Sequence, residues 1–323
     1  MTADTTAPSY WLNWRFFLCA IWILVGMVFA ALLIWRYEGR SKSRSRPSGN
    51  EQEVEGCLYD DEVWGTCSKS IHPVWLLGYR IVAFVTLLAL LLADIVVHGG
   101  GIYYFYTEWT FTLVAVYFGL GLSLSIYGCR RHCHEMEQEV DYHISTDEEH
   151  GSYVPPKVEE NADTPISTER LNFYGTPNIR TAASVWGYAF QIIFQISAGA
   201  VALTDFVYWL IIYPFLTPSY YRLSFLKICM HSVNAVLLLG DAILNHLRFP
   251  FFRIAYFVLW TCIYVVFQWI IHACVSMSSW PYAFMDLSSP YAPLWYLAVG
   301  VLLLPCFGIF ILIYRIKQCY LSR

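Results

Sequence analysis

Residues 74–97 read Val-Trp-Leu-Leu-Gly-Tyr-Arg-Ile-Val-Ala-Phe-Val-Thr-Leu-Leu-Ala-Leu-Leu-Leu-Ala-Asp-Ile-Val-Val, with Arg80 and Asp94 as the only charged side chains. About 20 apolar residues suffice to cross about 30 Å of hydrocarbon. A single stretch of this kind must be helical in lipid, because an isolated strand leaves its backbone groups unpaired. Working outward, six further stretches have the same character: 16–34, 109–127, 185–213, 225–245, 254–275 and 293–314. They predict an all-α fold, a polytopic membrane helix bundle with seven transmembrane helices. The stretch 185–213 exceeds a minimal span, so it tilts or ends in an interfacial turn at Pro214.

Composition excludes an ordinary soluble domain. Hydrophobic residues make up 57% and charged residues 14% of the chain, against about 25% charged in soluble domains. The net charge of −4 gives no reason to expect nucleic acid. Most of the 10 cysteines fall in apolar runs, where Cys behaves as a small hydrophobe. No disulfide framework and no Asn-x-Ser/Thr site is visible. The first apolar run lacks a small-residue cleavage site and reads as a retained anchor.

Charge orients the bundle. Of the 20 Lys and Arg residues, all but Arg15, Arg80, Arg222 and Lys227 fall in 36–73, 129–181, 246–253 or the tail after 314. Basic residues near helix ends mark the cytoplasm. The connections 98–108 and 276–292 carry none. This predicts the N-terminus outside and the C-terminus in the cytoplasm. Trp109, Trp209, Tyr213, Tyr220, Tyr221, Trp280, Tyr282, Tyr291 and Trp295 then form an outer aromatic belt. The chain divides into an outer tail and first helix (1–35), a polar segment (36–73), helices two and three (74–128), an acidic loop (129–181), and helices four to seven with a basic tail (182–323). The segments 36–73 and 129–181 have the composition of disordered chain. The integral, multi-pass placement does not choose between plasma membrane and endoplasmic reticulum.

Ionisable residues inside spans tend to mark function. Here they are Asp94, Asp205, His231, Asp241 and His272. His231, Asn234, Asp241 and Asn245 fall on one stripe of a continuous helix. Gln268 and His272 stand one turn apart. With the orientation above, Thr107, Asp205, His231, His272 and Asp94 share one depth in the outer half of the membrane. A buried polar site needs such a level. The competing structural reading is polar glue between helices, at about 0.6–2 kcal/mol per hydrogen bond.

From Trp75 onward the chain resembles the rolling-stone-like membrane proteins, and most of all their plant-type branch. Ser288-Ser289-Pro290-Tyr291-Ala292-Pro293-Leu294-Trp295-Tyr296 and Met230-His231-Ser232-Val233-Asn234-Ala235 carry the likeness. More distantly it is similar to the androgen-induced membrane hydrolases, which cleave fatty-acid esters with a Thr and a His. Phe105-Tyr106-Thr107 stands ten residues before Tyr117-Phe118-Gly119, which puts Thr107 at the nucleophile's place. Met230-His231-Ser232, with Asp241 ten residues on, puts His231 at the base's place. Ser follows the His where those hydrolases have Thr, and Asp241 replaces Glu. Trp269, His272, Trp280-Pro281-Tyr282, Phe284 and Asp286 resemble a later motif, with Pro and Tyr transposed. The first helix and the two polar segments have no counterpart there.

The resemblance implies an intramembrane lipid-ester hydrolase. Thr107 attacks the ester, His231 takes its proton, and Asp205, Asn234, Asp241 and His272 form the supporting polar network. His272 or Asn234 is the candidate oxyanion donor. Asp241 lies about 15 Å along the helix from His231, too far to orient it. The implied partners are membrane lipids and a lipid-ester substrate reaching the site from the outer leaflet, with no cofactor, no metal and no nucleic acid. An adhesion or signalling scaffold and a transporter remain alternatives. A G-protein-coupled receptor is disfavoured: helix three ends Ile126-Tyr127-Gly128-Cys129-Arg130-Arg131, and helix seven lacks Asn-Pro-x-x-Tyr. Cys129, His132, Cys133 and His134 match no common zinc spacing, and Cys129 and Cys133 are candidate palmitoylation sites. The basic residues of 36–46 flank helix one, where they set topology or touch anionic headgroups.

Overall fold

A computed structural model describes residues 4–39, 58–68, 71–149, 181–217, 222–275, 277 and 279–321. The basic run 40–46, Tyr220, Tyr221 and the acidic stretch 150–180 lie outside the described residues. Seven helices are long and apolar enough to cross a membrane: α1 Trp14–Gly39, α2 Pro73–His98, α3 Tyr106–Glu149, α4 Val185–Leu216, α5 Phe225–Leu244, α6 Phe251–Cys274 and α7 Ala292–Leu321. Among the described residues there is no strand, only the isolated bridges Tyr59–Ala182 and Thr66–Asn245.

Local chemistry sets the helix ends. The Asn13 side chain accepts from Phe16 N–H at the start of α1, and Ser184 and Ser224 do the same for α4 and α5. Pro73 opens α2, where its missing N–H costs nothing. Gly99, at φ 72°, closes α2 in the left-handed conformation that a glycine tolerates best. The last turns of α4, Tyr208–Leu216, are π-helical and contain Pro214. Proline leaves a carbonyl of the preceding turn without its donor. The Thr217 hydroxyl donates to the Ile212 carbonyl at 3.0 Å, satisfying one of the last carbonyls of the helix.

Helix α4 is the centre of the bundle and touches α3, α5, α6 and α7. Its run from Ser197 to Thr204 is buried throughout. Small residues there allow close approach: a methyl group at Gly199 would sit 2.5 Å from the Phe257 ring. Helix α1 lies on α6 and α7 and buries only Cys19 and Ala30. Leu24, Val28, Phe29 and Leu32 of α1 point outward, which suits a lipid solvent.

Three features differ from the sequence-based expectation. The acidic loop does not begin at 129, because α3 runs on to Glu149. Between Gly128 and Gly151 the chain has neither Gly nor Pro and is rich in Glu, so nothing stops the helix. Part of the polar segment 36–73 is also ordered. Residues Asp60–Trp64 form a short helix, in which Glu62 is buried and paired with Arg248 at 2.7 Å. Lastly, α5 is not continuous. Phe225–Met230 and Val233–Leu244 are separate helical pieces, with His231 and Ser232 as a turn between them.

Connections gather at two ends. The N-terminal tail, 98–105, 208–217 and 279–291 share one end. Residues 58–68, 129–134, 181–184, 245–253 and 315–321 share the other. At that second end, and fully buried, Arg80 of α2 pairs with Asp241 of α5 at 2.9 Å. Arg80 also donates to Ser125 Oγ at 2.6 Å and to the Gly121 carbonyl at 3.2 Å, both on α3. Tyr117 and Asn245 donate to the other Asp241 oxygen, and Tyr314 of α7 donates to Asn245 at 2.8 Å. One charge pair thereby ties four helices. Asp241→Ala leaves the buried guanidinium uncompensated and should destabilise the protein by about 3–5 kcal/mol. A paired Arg80→Met/Asp241→Leu variant should recover most of that loss. Reversible unfolding in mixed detergent micelles measures both.

Candidate functional site

The break in α5 builds the site. Among the hydrogen bonds lost there is the one from Ala235 N–H to the His231 carbonyl, and both of these groups find side-chain partners. Trp209 Nε1 donates to the His231 carbonyl at 2.8 Å. Asn234 Oδ1 accepts from Ala235 N–H at 2.9 Å. Regular bonding resumes with Val236 N–H to the Ser232 carbonyl at 3.1 Å. Asn234 is therefore a splint for the break. Its amide nitrogen is buried without a partner among the described residues.

The turn aims the His231 ring into the bundle. The imidazole stacks on Tyr208 with centroids 3.7 Å apart and planes 3° from parallel. Nδ1 lies 3.6 Å from Asp205 Oδ1. That is longer than a hydrogen bond, though such contacts tighten when a substrate is bound. Asp205 comes from α4, so the carboxylate facing the imidazole is a neighbour in depth, not in sequence. His231 is 5% exposed, and neither its Nδ1 nor either Asp205 oxygen has a hydrogen-bond partner among the described residues.

His231 and Thr107 line one cavity of about 470 Å³, within the usual range for small-molecule sites, about 300–1,000 Å³. Thr107 sits in the first turn of α3. Glu108 and Lys227 complete the polar end, with Tyr282 above them. The remainder is apolar. It runs along α6 from Val265 down to Ile254, about 16 Å at 1.5 Å per residue. The α1 residues Trp22, Ile23, Gly26 and Phe29 form a wall, and so do Trp295, Val301 and Leu304 of α7. Trp22, Phe29, Trp295, Val301 and Leu304 are also exposed on the outer surface of the bundle. The cavity wall is thus one layer thick toward the surrounding solvent.

Tyr282 lies beside Thr107 in the cavity lining, and its phenol oxygen accepts from the neighbouring Tyr106 N–H at 3.1 Å. Burial raises its pKa above the usual tyrosine value, so the phenol stays protonated. Tyr282 lies on the connection 279–291, which several contacts anchor. His272 stacks on Trp280 at 3.7 Å and 5°. The Trp280 indole donates to Tyr10 Oη at 3.1 Å, and Tyr10 donates to Asp286 at 2.8 Å. Arg15 donates to the Ser288 carbonyl at 2.6 Å. The N-terminal tail therefore clamps the connection that supplies Tyr282.

The residues singled out in the sequence thus divide. Thr107 and His231 line the same cavity, and Asp205 faces the His231 ring. Asn234 supports the break beside them. His272 is one shell away, with Nδ1 donating to the Gln268 carbonyl at 2.8 Å and its ring under Trp280. That places it outside the cavity and removes it as an oxyanion donor. Asp241 belongs to the Arg80 pair at the other end. Asp94 is buried and bonded to His98 at 2.9 Å. From sequence alone Glu108 and Lys227 had no site role, and Tyr282 stood in the aromatic belt and in the Trp280-Pro281-Tyr282 motif. Lys227 did carry a signal, being one of four basic residues off the basic side. Glu108 carried another, as the acidic neighbour of Thr107. Among the described residues no group of three or more His, Cys, Asp or Glu side chains could hold a metal ion. His132 packs on Trp64 and His72.

No known protein family, curated protein or solved structure matches the chain. Its class is therefore given by architecture: a helical bundle with seven helices able to span a membrane, holding an apolar cavity with a polar end.

Two variants test the local construction. Asn234→Leu leaves Ala235 N–H buried and unpaired, so it should cost about 1–3 kcal/mol, read as an earlier unfolding midpoint. Trp280→Ala should raise amide hydrogen exchange over 279–291 at least tenfold while the cores of α3 and α4 keep their protection.

Proposed function

We propose that the protein hydrolyses a long-chain lipid ester inside the membrane, with Thr107 as nucleophile and His231 as base. The observation that carries this reading is the cavity itself: one apolar chamber, open in character to lipid, with Thr107 and His231 at its polar end. The resemblance to rolling-stone-like proteins and, more distantly, to androgen-induced Thr/His hydrolases agrees with it. So does an orientation with the N-terminus outside, since the polar end then faces the outer leaflet.

The chemistry follows the general pattern of nucleophile and adjacent base. The Thr107 oxygen bonds to the ester carbonyl carbon while its proton passes to the His231 ring. The tetrahedral intermediate collapses, the C–O bond to the alcohol breaks, and the alcohol leaves with that proton. A water then attacks the acyl-Thr107 carbonyl and yields a proton to His231. The C–Oγ bond breaks, Thr107 regains the proton, and the fatty acid departs. Asp205 faces the imidazolium that forms in each half-reaction, as the orienting carboxylate does in hydrolytic triads.

Purified protein in proteoliposomes should hydrolyse a long-chain ester. Thr107→Ala and His231→Ala should each lower kcat by about 10²–10⁴-fold. The double variant should be no worse than the poorer single, because the two groups act as a unit. Asp205→Asn should fall less than either. Wild-type rates in both single variants would end this reading.

One observation favours a second reading. A helix interrupted at membrane depth beside buried Asp205 and Glu108 also suits a carrier. Time-dependent uptake of a labelled lipid or organic ion into sealed proteoliposomes, with no ester cleavage, would select it.

A further inference from the structure

We infer that Tyr282 is the oxyanion donor of this site. The inference rests on the hydrolase reading and adds a residue to it. In acyl transfer the largest single stabilisation comes from donors aimed where charge develops. The residues first suited to that role by sequence, His272 and Asn234, do not line the cavity. His272 points its Nδ1 proton at the Gln268 carbonyl, and Asn234 closes the α5 break.

Tyr282 meets the geometric demand. Its phenol oxygen sits 3.1 Å from the backbone nitrogen of Tyr106, the residue before Thr107, and Tyr282 and Thr107 line the same cavity. When the Thr107 oxygen bonds to the carbonyl carbon, the carbonyl oxygen becomes its neighbour on the same carbon. The phenol proton then turns toward that carbonyl oxygen. Tyr106 N–H donates to the phenol oxygen at 3.1 Å, which polarises the O–H toward donation. The first turn of α3 adds its positive dipole end.

Tyr282 is also preorganised. Its ring stacks on Phe284 at 5.2 Å and meets Phe105 edge-on at 6.0 Å. The neighbouring Trp280 is held by His272 and Tyr10. Rigid support of this kind is what an electrostatic donor requires. It also gives the N-terminal tail a purpose, since the tail holds the connection that carries the donor.

The test compares full-length wild type, Tyr282→Phe and Thr107→Ala for labelling by a long-chain fluorophosphonate and for ester hydrolysis. Tyr282→Phe should label and turn over about 10²-fold more slowly. The loss should fall in kcat, with KM within about twofold and the melting temperature within a few degrees of wild type. As a second probe, 3,5-difluorotyrosine at 282 keeps size and hydroxyl but acidifies the phenol. It should move the alkaline limb of the labelling-rate profile to lower pH. Thr107-dependent labelling of wild type with an unchanged rate in Tyr282→Phe and an unmoved alkaline limb overturns this inference alone. Labelling of wild type that does not depend on Thr107, or no labelling, overturns it together with the hydrolase reading.

Discussion

A guanidinium buried among apolar helices dictates much of this architecture. Arg80 is fully buried, and no water is at hand to solvate it. It must find an anion and acceptors within the protein, and it does so on α5 and α3. Asp241 has the mirror-image need and satisfies it with Tyr117 and Asn245. Each partner is held in turn: Asn245 by Tyr314, and the carbonyls of Ala242 and Asn245 by Lys317. The arginine also lies 4.9 Å over the Phe190 ring of α4. Five helices thus have one allowed arrangement at this end.

Fixing that end leaves the other free to be imperfect. The first part of α5 can turn away from its own axis because the second part is anchored through Asp241. Of the backbone groups that the turn at His231 and Ser232 leaves without helical partners, the His231 carbonyl and Ala235 N–H are satisfied by Trp209 and Asn234. The π-helical end of α4 brings Trp209 to that position and Tyr208 to the imidazole. Two irregular helix segments therefore support each other. Between them and the wall of α1 and α7 lies the apolar chamber. A polar group at its upper end experiences a low dielectric, where a fixed donor or carboxylate acts more strongly than in water.

The spans were legible in the sequence because hydrophobic length is a property of a single segment. The sharing of ends was legible too, because Lys and Arg cluster on one side. The break in α5 was not. No Gly or Pro stands between Phe225 and Leu239, so the local signal is helical throughout, and the cause is tertiary: an indole from α4 and a stacked tyrosine. The stripe of His231, Asn234, Asp241 and Asn245 was correct in composition, yet its members do three jobs. Depth alone grouped Thr107, Asp205, His231 and His272. It could not say how each helix is rotated, and rotation puts His272 outside the cavity that Thr107 and His231 line. Tyr282 was hidden for a further reason. Its role depends on a connection held down by the N-terminal tail, some 270 residues away in the chain. The extension of α3 was missed because acidic composition reads as disorder, while Glu is also a good helix former.

The central claim is that Thr107 is a nucleophile at the head of a lipid chamber. Peptide mapping by mass spectrometry after treatment with a long-chain fluorophosphonate tests it most directly. The expected result is a phosphonate adduct on the Thr107 hydroxyl, formed in the native protein, lost in His231→Ala and suppressed by competing long-chain ester. An adduct on any other residue, or none on Thr107 in folded protein, would contradict it.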